Sequence, residues 1–365
     1  MRKFAMFFMP GLMCLCGCFV SCSGNSDENG EEPDNGEVTG PITLTVDKAK
    51  IEANGTDMAT FTVIDANGKV LTTPEYMKNV YFEDLNTGDY LERRTNTFSA
   101  VENGAHRFKA YYLDWESEEV AVTVQNRKNY ELFYRKVAVF KMTGTWCTYC
   151  PAMTSALKKV EDVMPNRMVK MAFHSSSSSA TDPFHLSQTS AIMSRFGASG
   201  FPTNIYDLKV MSIDRNVSVI KQTLKDQIRK YPATCGIKLN TSYNSSIGEI
   251  TINAALKSSK GGEYDLVYAL VTDGLTASGG NENSYDYTVR VISNNYMAMS
   301  TDGRFTVKAN EEHTGGTFTV SKAMNLSPET SRIVVYALRK VDDAYMVDNV
   351  TECSIDGSVD YIYND

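Results

Sequence analysis

"TGTWCTYCP" spans Thr143–Pro151 and sets Cys147 and Cys150 two residues apart, with Trp146 before the pair and Pro151 after it. Such a pair can be a redox centre, half of a zinc site or an ordinary disulfide. The flanks narrow the choice. "KVAVFKM" (Lys136–Met142) reads as a strand leading into the pair. Beyond it, Met153, Leu157, Val160 and Met164 recur at helical spacing and make one apolar stripe. Pro151 suits the first helical turn, where its missing N–H costs little. A helix starting here puts unpaired N–H groups and the positive dipole end near Cys147, which favours its thiolate. Cys150, one turn further in, is placed to resolve a mixed disulfide.

The chain then continues through a strand, "RMVKMAF" (Arg167–Phe173), and the loop "HSSSSSATDPFH" (His174–His185). A short helix over roughly residues 186–196 follows. "GASGFPT" comes next, then a hairpin of "TNIYD" and "KVMSI". Val217, Ile220, Leu224, Ile228 and Tyr231 stripe a closing helix with Asn216 as its N-cap. Strand, CxxC helix, strand, helix, proline turn, two strands and helix is the order of a thioredoxin-like α/β domain, placed at residues 127–232. "WCTYCP" resembles the active site of that superfamily. "GFPT" (Gly200–Thr203), about fifty residues on, resembles its cis-proline loop. The resemblance implies that substrate chains pair beside Phe201, Pro202 and Thr203.

One residue departs from that pattern. Lys141 stands six residues before Cys147, where thioredoxins carry a buried Asp. It either points outward or holds Cys147 as a thiolate. His174 ends a strand expected to be parallel to the one before the CxxC, so both reach the same sheet edge. It either tunes Cys147 or is an exposed loop histidine, and the second reading is favoured. His185 has weaker claims, and Ser175–Ser179 reads as a flexible loop. Four histidines without a matching ligand pair offer no metal site, and no cofactor is called for.

The flanking regions alternate with period two. Residues 41–126 contain "ITLTV", "ATFTV" and "VAVTV", with a hairpin signal at Asn67-Gly68, and read as an Ig-like β-sandwich. Residues 233–365 contain "EITINAAL", "YDLVYALVT", "GRFTVKA", "GTFTVSKAM" and "RIVVYALRKV", separated by Gly/Asn/Ser clusters, and read as a second antiparallel β-sandwich. The fold class is therefore a multidomain α+β chain, with a thioredoxin-like α/β domain between two sandwiches.

The N-terminus assigns the compartment. Arg2 and Lys3 precede an uncharged run, Phe4–Val20, too short and too broken by Pro10 and glycines to span a bilayer. This is the layout of a secretory signal peptide, residues 1–21. "FVSC" and "LCGC" both resemble the bacterial lipobox. Cys22, where the polar segment begins, is the expected lipid-bearing residue, with Cys18 as the alternative. Residues 22–40 hold six acidic and no basic residues and read as a disordered tether. The acidic stretch resembles the surface-export signal of lipoproteins in Bacteroidota. Loss of residues 1–21 removes Arg2 and Lys3 and no acidic residue, taking the formal charge of −8 to −10. An acidic exported chain is a poor partner for nucleic acid. Of eight cysteines, four lie in the signal region. Cys235 and Cys353, at the two ends of the last β region, are either a structural disulfide, the favoured reading in an oxidising compartment, or two free thiols.

The lipobox, the Ig-like module, "KMTGTWCTYCP", "AFH…DPF…GFPT" and the C-terminal sandwich together resemble the Omp-28-related outer-membrane lipoproteins of Bacteroidota. The resemblance covers residues 130–365 and implies an outer-membrane or cell-surface location without an established substrate. Two functions follow as expectations. The first is thiol–disulfide exchange on exported proteins or peptides through Cys147 and Cys150, with an unidentified redox partner. The second is a non-enzymatic surface-binding or adhesion lipoprotein that uses the same fold as a scaffold.

Overall fold

The structure is a computed structural model that describes residues 38–125, 132–321 and 326–364. The signal peptide, Cys18, Cys22, most of the acidic tether and the boundary at residues 126–127 lie outside the described residues. Among the described residues β-strands dominate, in several sheets, with three α-helices. Among the described residues no helix is long and apolar enough to cross a membrane.

The N-terminal region holds β1 (Thr43–Val46), β2 (Lys50–Glu52), β3 (Ala59–Ile64), β4 (Val80–Asp84), β5 (Asp89–Tyr90), β6 (Thr97–Phe98), β7 (Gly104–Tyr112), β8 (Trp115–Glu116) and β9 (Val120–Gln125). They form one sheet ordered β1-β3-β6 and another ordered β2-β9-β7-β4-β5, with β8 on β7. Alternation works as the sequence predicts: Ala59, Phe61 and Val63 of β3 are fully buried while their neighbours are not. Phe61 of the first sheet meets Phe82 and Phe108 of the second, with ring centroids 5.3 and 4.8 Å away, so the sheets face each other across an aromatic core. The expected turn forms at Asn67-Gly68, where Gly68 has φ +82° and Ile64 bridges Val70.

The central region runs β10 (Val137–Thr143), α1 (Cys150–Val163), β11 (Met168–His174), α2 (Gln188–Arg195), β12 (Thr203–Tyr206), β13 (Val210–Ser212) and α3 (Val217–Lys230). β10 and β11 are parallel, and β12 runs antiparallel to β10. Every residue of β10 and β11 is buried, because both faces of the sheet are covered. One face, Val137 and Val139, packs on Met153, Leu157 and Val160 of α1 and on Ile220, Leu224 and Ile228 of α3. The Asn216 side chain accepts from the Ser218 N–H at 2.9 Å and caps α3.

The C-terminal region adds β14 (Cys235–Asn244), β15 (Glu249–Ser258), β16 (Gly262–Thr272), β17 (Thr288–Ile292), β18 (Phe305–Val307), β19 (Glu312–Val320), β20 (Ser331–Val341), β21 (Ala344–Ser354) and β22 (Ser358–Val359). β17 pairs parallel to β11, so one sheet runs β13-β12-β10-β11-β17-β16-β20-β21 without a break. This sheet crosses residues 232–233, where the sequence suggests a boundary. The remaining sheet, β19-β15-β14-β22, covers its distal half. Hence β16 and β20 bury both faces. Val267, Ala269, Val334 and Tyr336 join the core shared with β10 and β11. Leu266, Leu270, Ile333 and Val335 join a second core against β14 and β15.

The expected Cys235–Cys353 bridge is not formed; both are free thiols. The Cys353 Sγ lies 3.5 Å from Thr241 Oγ1. Thr241 is six residues along β14 from Cys235, about 20 Å at ~3.3 Å per residue, far beyond the roughly 4–7 Å Cα separation of a disulfide. The two cysteines thus lie at different levels of the sandwich. Burial, then the Asp348 carboxylate beside it, pushes the Cys235 thiol well up. Burial also raises Cys353.

Two measurements test this packing. In denaturant without reductant, Cys235 and Cys353 should alkylate while Cys147 and Cys150 do not; a Cys235–Cys353 linked peptide would contradict the arrangement. Arg135 is fully buried and pairs with Asp207 at 2.6 Å. Arg135→Ala should lower stability in urea by about 3–5 kcal/mol, since it strands a buried carboxylate. A loss no larger than the ~1 kcal/mol of a surface pair would show that this ion pair is dispensable.

Candidate active site

Cys147 and Cys150 are joined by a disulfide, with Cα atoms 5.5 Å apart. β10 ends at Thr143, and the chain turns through Gly144–Tyr149 into α1, with Pro151 in the first turn. Cys147 donates its N–H to Gly144 O at 3.0 Å, and Cys150 to Cys147 O at 3.3 Å. The turn needs glycine at 144, since a Cβ there would sit 2.9 Å from Ser175 O and 2.7 Å from the Trp146 indole nitrogen. That indole donates to Ser175 O at 2.8 Å and meets the Phe201 ring edge-on at 5.5 Å. Cys147 is only 3% exposed and Cys150 1%.

Phe201–Pro202 is a cis peptide. Thr203 opens β12 opposite Met142, so the proline turn and the CxxC leave the sheet at the same edge. The Thr203 hydroxyl donates to Gly200 O at 2.8 Å. Beside them lies an open groove of about 330 Å³, with Tyr149, Met211 and Ile213 exposing apolar surface. The Arg215 guanidinium sits 5.4 Å from the Tyr149 ring centroid.

His174 corrects the favoured expectation of an exposed loop histidine. It is the last residue of β11, opposite Thr143, and is 1% exposed. Phe184 and Tyr285 meet its ring edge-on. Its Nδ1 lies 2.9 Å from Asp182 Oδ2. The same oxygen accepts the Thr145 N–H at 2.7 Å, and Asp182 Oδ1 accepts from Phe184 N–H at 2.8 Å. Burial alone would raise Asp182. The His174 hydrogen bond and charge, with the two backbone N–H groups, hold it below the usual carboxylate value. The sequence gives no sign of this role for Asp182, because an Asp-Pro in a serine-rich loop reads as a turn former. His185 lies on the loop surface and accepts from Ser176 N–H at 3.1 Å.

Lys141 points neither outward nor at an exposed thiol. It is buried beneath α1, where its ammonium donates to the Thr154 hydroxyl and lies 3.9 Å from Glu282 Oε1. Thr154 in turn bonds Cys150 O at 3.2 Å. Burial, partly offset by Glu282, pushes Lys141 down to about 8. Glu282 belongs to the segment between β16 and β17. Asn281 N–H from that segment donates to Thr145 O at 3.0 Å, and the Tyr285 hydroxyl reaches the same oxygen at 3.3 Å. The peptide groups flanking Thr145 are thus held from two remote segments, one through its N–H and one through its C=O. Among the described residues no group of three or more His, Cys, Asp or Glu converges as a metal site.

No family model matches the chain, and no curated protein matches it in sequence. Among solved structures, HBP35 of Porphyromonas gingivalis is similar with a TM-score of 0.47 at 15% identity, over 61% of this chain and 76% of that one. A crystal structure of an Agrobacterium tumefaciens protein is similar with a TM-score of 0.45 at 16% identity, over 61% and 95%. At these scores the likenesses assign neither fold nor function to this chain.

The buried lysine has a pH signature. Between pH 8 and the ordinary lysine value of 10.5, the unfolded chain keeps a proton that folded Lys141 has released. Stability therefore rises with pH across that window, by an amount on the order of 3 kcal/mol. Chemical denaturation at pH 7.5 and 10 should show this rise in the wild type minus Lys141→Met difference. An unchanged difference would mean that Lys141 is not desolvated.

Proposed function

We propose that this chain is an exported, lipid-anchored protein, held through Cys22 at the outer membrane or cell surface, whose thioredoxin-like central region exchanges disulfides with exported proteins. The observation that carries the reading is the Cys147–Cys150 disulfide at the head of α1, sharing one sheet edge with the Phe201–Pro202–Thr203 turn and an open groove. The order β10-α1-β11-α2-β12-β13-α3, with β12 antiparallel in the sheet, supports the thioredoxin-like assignment.

In the exchange, a substrate thiolate attacks the Cys147 sulfur. The Cys147–Cys150 bond breaks and Cys150 leaves as the thiolate. The second substrate thiolate then attacks the substrate sulfur of the mixed disulfide and expels Cys147. Two electrons pass to the protein, and two protons pass from the substrate thiols to the two cysteines or to solvent. The reverse sequence reduces a substrate disulfide. Either direction needs a redox partner to reset the pair.

A second reading rests on the near-complete burial of both cysteines. In it the disulfide is a permanent brace, and the fold presents binding surfaces only. Equilibration in glutathione buffers separates the two. Exchange predicts a reversible dithiol form between about −120 and −270 mV, the span of thiol–disulfide catalysts, and a Cys150→Ser protein that traps a mixed disulfide through Cys147. A bridge that stays oxidised below about −300 mV, with no trapping, would establish the brace.

A further inference from the structure

A cleft of about 600 Å³ opens at one edge of the C-terminal sandwich, between β16, β18, β19 and the loop from Ser293 to Arg304. β19 is the terminal strand of its sheet, and β18 pairs with β16 of the other. Two stacked ring pairs bridge the gap. Phe305 lies on His313 with centroids 3.9 Å apart and planes 11° from parallel. Tyr268 lies on Phe318 at 4.9 Å and 10°. Between them β19 carries Gly315 and Gly316, where its register with β15 shifts. A Cβ at Gly315 would sit 2.9 Å from Leu266 and 3.2 Å from the Tyr268 hydroxyl, whereas one at Gly316 would enter open space. Two glycines inside a strand weaken it; at Gly315 the close neighbours are the protein's own, Leu266 and Tyr268 among them, while Gly316 leaves bare backbone towards open space.

The rim is polar and partly unspent. Asp265 takes both the N–H and hydroxyl of Ser300, and Asn295 bonds Leu266 O, so these residues hold the loop in place. Asn294 and Asp302 line the cleft without a side-chain hydrogen bond among the described residues, and Arg304, which also lines it, pairs with Glu263 at 3.9 Å. Ring faces and bare backbone suit the C–H face of a pyranose. A free amide and a carboxylate suit hydroxyl groups, and two lining carboxylates, Asp265 and Asp302, with Arg304 turned to Glu263, disfavour an acidic sugar. We propose that this cleft binds a neutral oligosaccharide, independently of any chemistry at the CxxC.

The test is binding of the full mature chain to an array of neutral glucan, xylan, mannan, galactan and N-acetylhexosamine oligosaccharides, with titration calorimetry on those retained. Gly316→Leu would fill the cleft without entering the core. It should weaken binding by about tenfold or more, and Asn294→Ala should weaken it severalfold. Both variants should keep wild-type unfolding curves and the same Cys147–Cys150 reduction behaviour, which separates a blocked cleft from a damaged fold. No retained sugar on the array, equal affinity in Gly316→Leu, or chemical-shift changes along β19 with a pool of extended peptides but not with sugars would each overturn the proposal.

Discussion

A guanidinium shut away from water must find its hydrogen-bond partners inside the protein, and Arg135 organises the molecule by doing so. Its Nε donates to Tyr231 O, its Nη1 to Lys136 O, and its Nη2 to Asp207 Oδ2 and Val347 O. Those acceptors come from the end of α3, the start of β10, the turn after β12 and strand β21. Asp207 closes the arrangement by accepting the Ala138 N–H at 2.8 Å and by giving its carbonyl to Val347 N–H at 2.9 Å. Neither charge could stay buried without the other, because desolvation would leave the survivor uncompensated. The central and C-terminal regions are therefore joined by polar groups that have no alternative partner, as well as by apolar area.

That joint explains the continuous sheet. Once β21 is held against the start of β10, the face of β10 and β11 away from α1 has strands β16 and β20 beside it in the same core. β17 then fills the position next to β11, with Ala172 N–H bonding Tyr287 O at 2.6 Å. The segment leading into β17 must pass along α1. It deposits Asn281, Glu282, Tyr285 and Asp286 on the CxxC turn and its helix, where Lys158 meets Asp286 at 3.0 Å. The surroundings of Cys147 are thus built partly by residues more than a hundred positions away.

Those distances decide what could be read in advance. The α1 stripe, the Asn216 cap and the alternation of β3 are local signals, and local physics produced the same elements. β14, β17 and β21 carry weak signals in the sequence. "TVRVI" is short, and its alternation carries an arginine. β14 mixes polar residues among its buried ones because one face is solvated at its far end. The CxxC and the proline turn were legible as motifs. The surroundings of Lys141 and His174 were not, since a lysine at an alternating strand position gives no sign that a helix and a remote carboxylate will cover it. The cysteine pairing failed for a related reason: membership of neighbouring strands says nothing about the level each thiol occupies along them.

The same remoteness bears on how the CxxC can work. Thr145 is held through its N–H by Asp182, whose carboxylate also takes His174, and through its C=O by Asn281 and Tyr285. Gly144 has no room for a Cβ between Ser175 and Trp146. A turn restrained on both sides can swing neither sulfur far, so the proposed exchange would require a substrate to approach from the Phe201–Pro202 side, where the groove is open. Preorganisation of this kind lowers the entropy lost when a substrate chain docks. It equally suits a brace whose task is to keep α1 seated on Lys141. The two roles differ in one physical respect. Exchange requires that the clamp on Thr145 survive reduction, with Cys150 still anchored through Thr154, whereas a brace makes that clamp depend on the disulfide. The buried Lys141 ammonium ties them together, because the helix that covers it begins at Cys150.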